Sequence, residues 1–315
     1  MLQVSDYNYL SKFYKKNFIK ISKNKYHKKK NLSARDKKNL QNLNTKGFCV
    51  LKGVFQEKFI NEINLEFQNH IKNLKYISLP RDLRFKKKIG INNNIENINN
   101  KKLQKKIFLM GEKKFRNYTD SVKLIDPLIN IKKIIECGLN KRLATMTSNY
   151  FGCMPFLTYA KCVKTYKNKI DNHDTQLFHI DENAVKLLKV FIYLNDVDSK
   201  LDGPFYYIKN SFESIKNKWG QRARWEENKL KKIYGSKNFI PILAKKGDVI
   251  VANTVAFHRG LKPIRKDRNI IILNYGIHLD FTFNNQIDIA ANISKEDYKK
   301  FNPEEKSILS LLNKI

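Results

Sequence analysis

The sequence predicts a mainly β domain with supporting helices, on three observations. The runs Leu187–Leu194, Val249–Ala252 and Ile270–Leu273 are dense in β-branched and aromatic residues and have the length of buried strands. Turn residues punctuate them, with Gly247-Asp248 just ahead of the second. Apolar residues at helical spacing fall outside this stretch, between 57 and 72 and between 129 and 150. Strands are therefore expected to dominate from Phe156 to Asp280, with helices packed on one side.

In chain order, residues 1–46 read as a basic extension, helical in pieces, in which SDYNYLSKFYKKNFIKI has some amphipathic spacing. The folded domain is expected over 47–284. From Gly47 a strand, FCVLKGVF, leads into a helix near Glu57–Lys72. The asparagine-rich INNNIENINNKK reads as a loop or the flank of a lid. Ile129 to Tyr150 is expected as a helix pair, and 156–280 as the β core, interrupted by a helical insertion at about 211–234. A helical tail occupies 285–315. Its last helix has a start signal: Asn302 as cap, Pro303 at the first position and Glu305 at the third.

Composition bounds the rest. A chain of 315 residues with 42% hydrophobic and 12% aromatic content can bury one large core, so disorder is not the default. Cys49, Cys137, Cys153 and Cys162 show no paired or metal-ligand spacing. With no leader-like segment, they predict free thiols and a cytoplasmic location. No apolar run reaches the roughly 18 residues of a membrane span. The net charge of +33 raises nucleic-acid binding. Lysine is spread over the whole chain, however, and asparagine and isoleucine are abundant too, so nucleic acid is not the expected partner. The clusters that do exist, nine lysines between Lys12 and Lys30 and the group Arg81, Arg84 and Lys86 to Lys88, suit attraction of an anionic substrate or carrier.

The chemistry-bearing residues are His179 and Asp181 in QLFHIDEN and His258 in NTVAFHRG. A strand puts residues i and i+2 on one face, so His179 and Asp181 point the same way and His258 needs only to arrive from a neighbouring strand. Two histidines and one carboxylate on one face of a metal leave the opposite positions open, the arrangement of non-haem Fe(II) oxygenases. A chance surface pair is the bland alternative, weighed against only six histidines in the chain, His27, His70, His173, His179, His258 and His278. Ten residues past His258, Arg268 opens the last apolar run. Arginine suits a bidentate grip on a carboxylate.

Taken together, QLFHID, LKVFIYLNDVDSKLDGPFYYIKNS, AKKGDVIVANTVAFHRGLKP and RNIIILNY resemble the phytanoyl-CoA dioxygenase superfamily of Fe(II)/2-oxoglutarate-dependent oxygenases. GFCVLKGVF followed by KFINEINLEF resembles the way such domains begin. The resemblance covers most of 47–280 and implies a double-stranded β-helix, a jelly-roll of eight strands in two sheets. It implies Fe(II) on His179, Asp181 and His258, with 2-oxoglutarate and O2 at the open positions. Arg268 matches the arginine that holds the far carboxylate of 2-oxoglutarate. Arg265 competes for that role but lies in the turn IRKDR. Relatives often carry Ser or Thr two residues after the distal histidine, where this chain has Gly260, so another group must assist that carboxylate.

Lys189 and Phe191, which share a strand face, are candidate pocket residues with Tyr159, Lys161 and Gln176. Their other reading is an ordinary strand with one snorkelling lysine. Trp219, Arg222, Arg224 and Trp225 in the insertion are candidate substrate contacts or packing residues. The intact Asp181 argues against halogenation. The expected substrate is a small-molecule or carrier-linked compound, and the expected reaction is hydroxylation of an unactivated C–H with release of succinate and CO2. Two rival readings are a metal-dependent cupin-type enzyme without 2-oxoglutarate, against which Arg268 counts, and a non-catalytic jelly-roll, against which the intact triad counts.

Overall fold

The computed structural model describes residues 31–73, 75–78, 111–113, 116, 119–168, 174–181, 187–212, 224–277 and 295–309. The asparagine-rich segment, both basic clusters, Trp219 and Arg222 lie outside these residues.

Among the described residues ten strands form two antiparallel sheets: β1 (Phe48–Leu51), β2 (Ile77–Ser78), β3 (Ser121–Leu124), β4 (Phe156–Thr165), β5 (Leu187–Tyr193), β6 (Phe205–Ile208), β7 (Phe239–Ile242), β8 (Val249–Ala252), β9 (His258–Gly260) and β10 (Arg268–Gly276). The larger sheet runs β1-β8-β5-β10-β4-β3-β2 and the smaller β7-β6-β9. A fourth strand-like segment completes the smaller sheet. His179 and His258 exchange two backbone hydrogen bonds of 3.0 Å, an antiparallel bridge that lays the HID segment beside β9. The core is thus a jelly-roll, with β8, β5, β10 and β4 opposite β7, β6, β9 and this segment; β1, β2 and β3 extend the larger sheet.

The continuous apolar runs follow from burial on both faces. On β5, Leu188, Val190 and Ile192 join a core with the helices, whereas Phe191 and Tyr193 join the core between the sheets. Ile271 and Leu273 face the helices from β10, and Ile270 faces inward. A strand buried twice has no polar face to expose, so its sequence cannot alternate.

Helices α1 (Ala34–Lys46), α2 (Glu57–Lys72), α3 (Pro127–Asn130), α4 (Lys133–Gly138) and α5 (Lys141–Phe151) cover the outer face. The amphipathic period of α2 buries Ile60, Ile63, Phe67 and Ile71. The end of the basic segment is therefore ordered as α1. Ser33 caps its Asp36 N–H at 3.1 Å, and Asp36 takes a two-pronged grip from Arg142 at 2.9 and 2.7 Å. Gly47 ends α1 at φ 86°, where a side chain would collide with the Tyr207 ring.

The expected helix pair of 129–150 is three pieces. Asp126 in the left-handed region starts the first, and the Asn140 side chain accepts from Arg142 N and Leu143 N to start the last. Of the insertion, α6 (Glu227–Tyr234) is helical. Short α7 (Lys295–Lys299) precedes α8 (Pro303–Leu309), which carries the expected cap: Asn302 Oδ1 accepts from Glu305 N at 3.0 Å, and Glu305 returns the bond at 2.8 Å. Its Ile308 and Leu309 are buried in the helix-side core. All four cysteines are free and buried. No helix among the described residues is long and apolar enough to cross a membrane.

Candidate active site

β9 brings the distal histidine beside the proximal pair. The backbone bridge sets His179 against His258, with ring centroids 4.3 Å apart, and Asp181 N donates to Thr254 O at 2.9 Å. One ligand atom from each of His179, Asp181 and His258 lies within 4.8 Å of the others, and His258 Nε2 is 3.5 Å from Asp181 Oδ2. All three side chains are shielded from solvent.

The ring orientations are fixed from behind. His179 Nδ1 is 2.9 Å from Leu177 O, and His258 Nδ1 is 2.9 Å from Ala256 O. Carbonyls only accept, so each neutral ring donates from Nδ1 and keeps a lone pair on Nε2. Burial keeps both rings neutral. It lowers the His179 pKa against the attraction of Asp181, and with His179 nearby it pushes His258 down to about 3. Two inward nitrogen lone pairs, a carboxylate and carbonyl-anchored tautomers form a donor set that fits a divalent cation such as Fe(II).

Lys189 lies inside the barrel with its Nζ 2.6 Å from Asp181 Oδ2. Burial by itself would raise the Asp181 carboxyl. The Lys189 ammonium outweighs it and holds the group well below the usual range. Burial would likewise lower Lys189, but Asp181, helped by a hydrogen bond with Tyr159, keeps it charged. Tyr159 and Lys189 are the β4 and β5 partners of one β10 residue, Asn274, so the three form one row across the sheet. Lys161 sits over the Tyr159 ring, 4.8 Å from its centroid. Phe191 stacks 4.2 Å from Phe205, which in turn is 5.5 Å from the His258 ring. Gln176 is buried at the end of a short 3-10 turn leading into the HID segment.

The two candidate arginines have different surroundings. Arg265 grips Asp202 with Nε at 2.8 Å and Nη2 at 2.6 Å and is half exposed. Arg268 is buried beside Gly260, two residues from His258 on β9, hence about 7 Å along the strand. Its Nη1 donates to Gly203 O and to Leu261 O (3.1 Å), and Nη2 donates to Thr165 Oγ1 at 3.2 Å. Its Nε has no partner, and no carboxylate pairs with it among the described residues. Gly203 has φ 71° and packs against the 261–263 backbone with no space for a side chain, which brings its carbonyl to Arg268.

The insertion touches the site's outer wall. Trp225 N donates to Phe178 O at 2.8 Å, and its ring lies 5.5 Å from Phe257, so Trp225 packs on the smaller sheet. Arg224 is exposed and close enough to His179 to depress its pKa. Arg259, next to His258 and facing the other way, stacks on Phe178 and Tyr206 and pairs with Glu227 of α6 at 2.5 Å. Sequence reasoning did not single out Arg259, Thr165, Asp202 or Tyr193. An arginine directly after the distal histidine was the available signal for the first; the others look like ordinary strand or turn residues.

No family model matches the sequence, and no curated protein does. Solved structures with the same fold do match. The epimerase SnoN of nogalamycin biosynthesis, non-haem and α-ketoglutarate dependent, aligns with TM-score 0.56 at 12% identity, over 77% of this chain and 83% of that one. The carbocyclase SnoK of the same pathway, described in the same terms, gives 0.51 at 13%, over 78% and 85%. HygX from Streptomyces hygroscopicus, with nickel, 2-oxoglutarate and hygromycin B bound, gives 0.50 at 15%, over 78% and 87%. At such identities the shared property is the fold.

Proposed function

We propose that this chain is a non-haem Fe(II)- and 2-oxoglutarate-dependent dioxygenase, similar to the phytanoyl-CoA dioxygenase superfamily, that hydroxylates an unactivated C–H bond of a small-molecule or carrier-linked substrate. The observation that carries the reading is Arg268. Among the described residues this buried guanidinium meets carbonyls and a hydroxyl but no counter-ion, and it shares the barrel interior with a His–Asp–His cluster. A dicarboxylate supplies that counter-ion while its other end reaches the metal. The cupin-type rival gives Arg268 nothing to bind.

When bound, iron with 2-oxoglutarate and O2 supplies oxidative decarboxylation to succinate and CO2 coupled to oxidation of a substrate C–H. His179, Asp181 and His258 would hold the metal, with Leu177 O and Ala256 O fixing the imidazole planes. Arg268 would anchor the far carboxylate. Phe191 and Phe205 line the interior between the two ends and exclude water. Lys189 balances Asp181 and stands ready to meet a carboxylate at the metal end. The exposed Arg224 and the overall charge of +33 favour an anionic substrate. Four buried free cysteines suit a reducing cytoplasm.

The test is anaerobic addition of Fe(II) and 2-oxoglutarate to the metal-free protein. A visible metal-to-ligand charge-transfer band is expected, absent from Arg268→Ala at the same co-substrate level. Bound iron with no band removes 2-oxoglutarate from the mechanism. Asp181→Ala is expected to keep its fold and lose iron affinity by more than about 100-fold; retained iron-dependent turnover would sink the triad. Succinate release measures turnover whatever the outcome, and a product heavier by one oxygen separates hydroxylation from the epimerisation and ring closure of SnoN and SnoK.

A further inference from the structure

The Arg268 end of the interior also holds a buried phenol. Tyr193 is fully buried on β5, on the same face as Lys189 and Phe191. Its phenol oxygen accepts the Phe205 N–H at 2.8 Å. A phenol both accepts and donates, so that bond leaves its O–H hydrogen to be placed. No acceptor takes it among the described residues. Phe205 stands two residues past Gly203, whose carbonyl receives Arg268 Nη1, and is the β-partner of Gly260, which lies against Arg268, so phenol and guanidinium bond to the same 203–205 segment. Burial raises the Tyr193 pKa and nearby Arg268 opposes that rise, in keeping with direct proximity.

Gly260 makes this matter. A Cβ built there would lie 3.5 Å from Arg268 Nη2, an ordinary contact, so a serine or threonine hydroxyl at this position would stand beside the guanidinium. Glycine supplies none. We infer that Tyr193 fills the gap: its O–H donates to the carboxylate that Arg268 holds, making Tyr193 a specificity-determining residue for a dicarboxylate co-substrate. This rests on the oxygenase reading given above. The hydroxyl of Thr165, already an acceptor for Arg268, is the competing donor. A purely structural Tyr193 would only tie β5 to Phe205.

The test is calorimetric titration of the Mn(II)-loaded full chain with 2-oxoglutarate and with 2-oxopentanoate, which keeps the keto-acid end and lacks the far carboxylate. Wild type is expected to prefer 2-oxoglutarate. Tyr193→Phe is expected to weaken 2-oxoglutarate about tenfold or more and leave 2-oxopentanoate unchanged. Adding Gly260→Ser to that variant is expected to restore most of the loss. Equal weakening of both ligands means a structural role and overturns the inference, as does a loss that follows Thr165→Val instead. Should Tyr193→Phe fail to fold, Gly260→Ser alone decides: less than about a twofold gain is expected if Tyr193 already serves the carboxylate, and a tenfold gain refutes it. If wild type does not bind 2-oxoglutarate, the oxygenase reading falls and the Tyr193 role with it; if Arg268→Ala still binds it like wild type, the Arg268 anchor and the Tyr193 role fall together. Loss in Arg268→Ala with unchanged Tyr193→Phe overturns the Tyr193 role alone.

Discussion

Arg265 and Arg268 stand three residues apart at the start of β10 and have opposite fates. Arg265 is half exposed and closes on Asp202, whose carboxylate also accepts from Asp198 N at 3.0 Å and Ser199 N at 3.2 Å. That cluster is complete: every charge in it has its partner in the chain, and its work is to fasten the 198–203 turn. Arg268 is buried and, among the described residues, bonds only to backbone oxygens and a hydroxyl. Burying a charge without a partner is unfavourable, and the proposed co-substrate would supply the missing anion. The two regions are also linked in series. Asp202 fixes the turn whose next residue, Gly203, offers its carbonyl to Arg268, so the completed cluster builds the seat of the incomplete one.

Removing Arg268 breaks this contrast most. Arg268→Ala is expected to weaken 2-oxoglutarate binding to the metal-loaded protein by about 100-fold, the scale of a buried charge pair, with little loss of Tm because no native ion pair is lost. A large fall in Tm with unchanged affinity would reverse the two roles. Asp202→Asn comes next, expected to cost about 2 kcal/mol in urea unfolding because several bonds to a buried carboxylate go at once.

The same carboxylate sharpens the comparison through pH. Burial opposes its ionisation, but Arg265 and the Asp198 N–H, with Lys266, hold its pKa down to about 2 against the usual 3.8. A group depressed in the folded state adds stability above its unfolded pKa and loses it as pH falls through the folded one. Part of the Tm should therefore disappear between about pH 4 and pH 2, and Asp202→Asn should flatten that slope. The smallest effect belongs to Arg265→Met. Its half-exposed side chain predicts a smaller stability loss than Asp202→Asn and no change in 2-oxoglutarate affinity. Weakened binding at unchanged stability would return Arg265 to the co-substrate site.

Much of this architecture is legible in one dimension because local rules govern it. The bounds of α2 follow from its apolar period, and α8 begins at its capping box. The Asn140 cap is equally local, yet it divides 127–151 into pieces because Asp126 takes a left-handed conformation that the sequence does not announce. Trp225 illustrates the opposite limit. As a tryptophan in an insertion it serves equally as a substrate contact or as packing, and only the Phe178 bond and the Phe257 ring show that it packs.

The sequence by itself determined the strand-rich core, the i, i+2 pairing of His179 with Asp181, the distal His258 and two candidate arginines, because strand period and motif spacing are properties of neighbours along the chain. Tertiary structure alone decided which arginine is free. It found Asp202 for Arg265, 63 residues away in sequence, and gave Arg268 no carboxylate among the described residues. It also set the Tyr193 phenol on the Phe205 N–H, two residues from the Gly203 carbonyl that Arg268 holds, and placed Lys189 on Asp181. The physical reason is that charge compensation depends on distances across the barrel, which strand register and the packing of two sheets set together and no local pattern records.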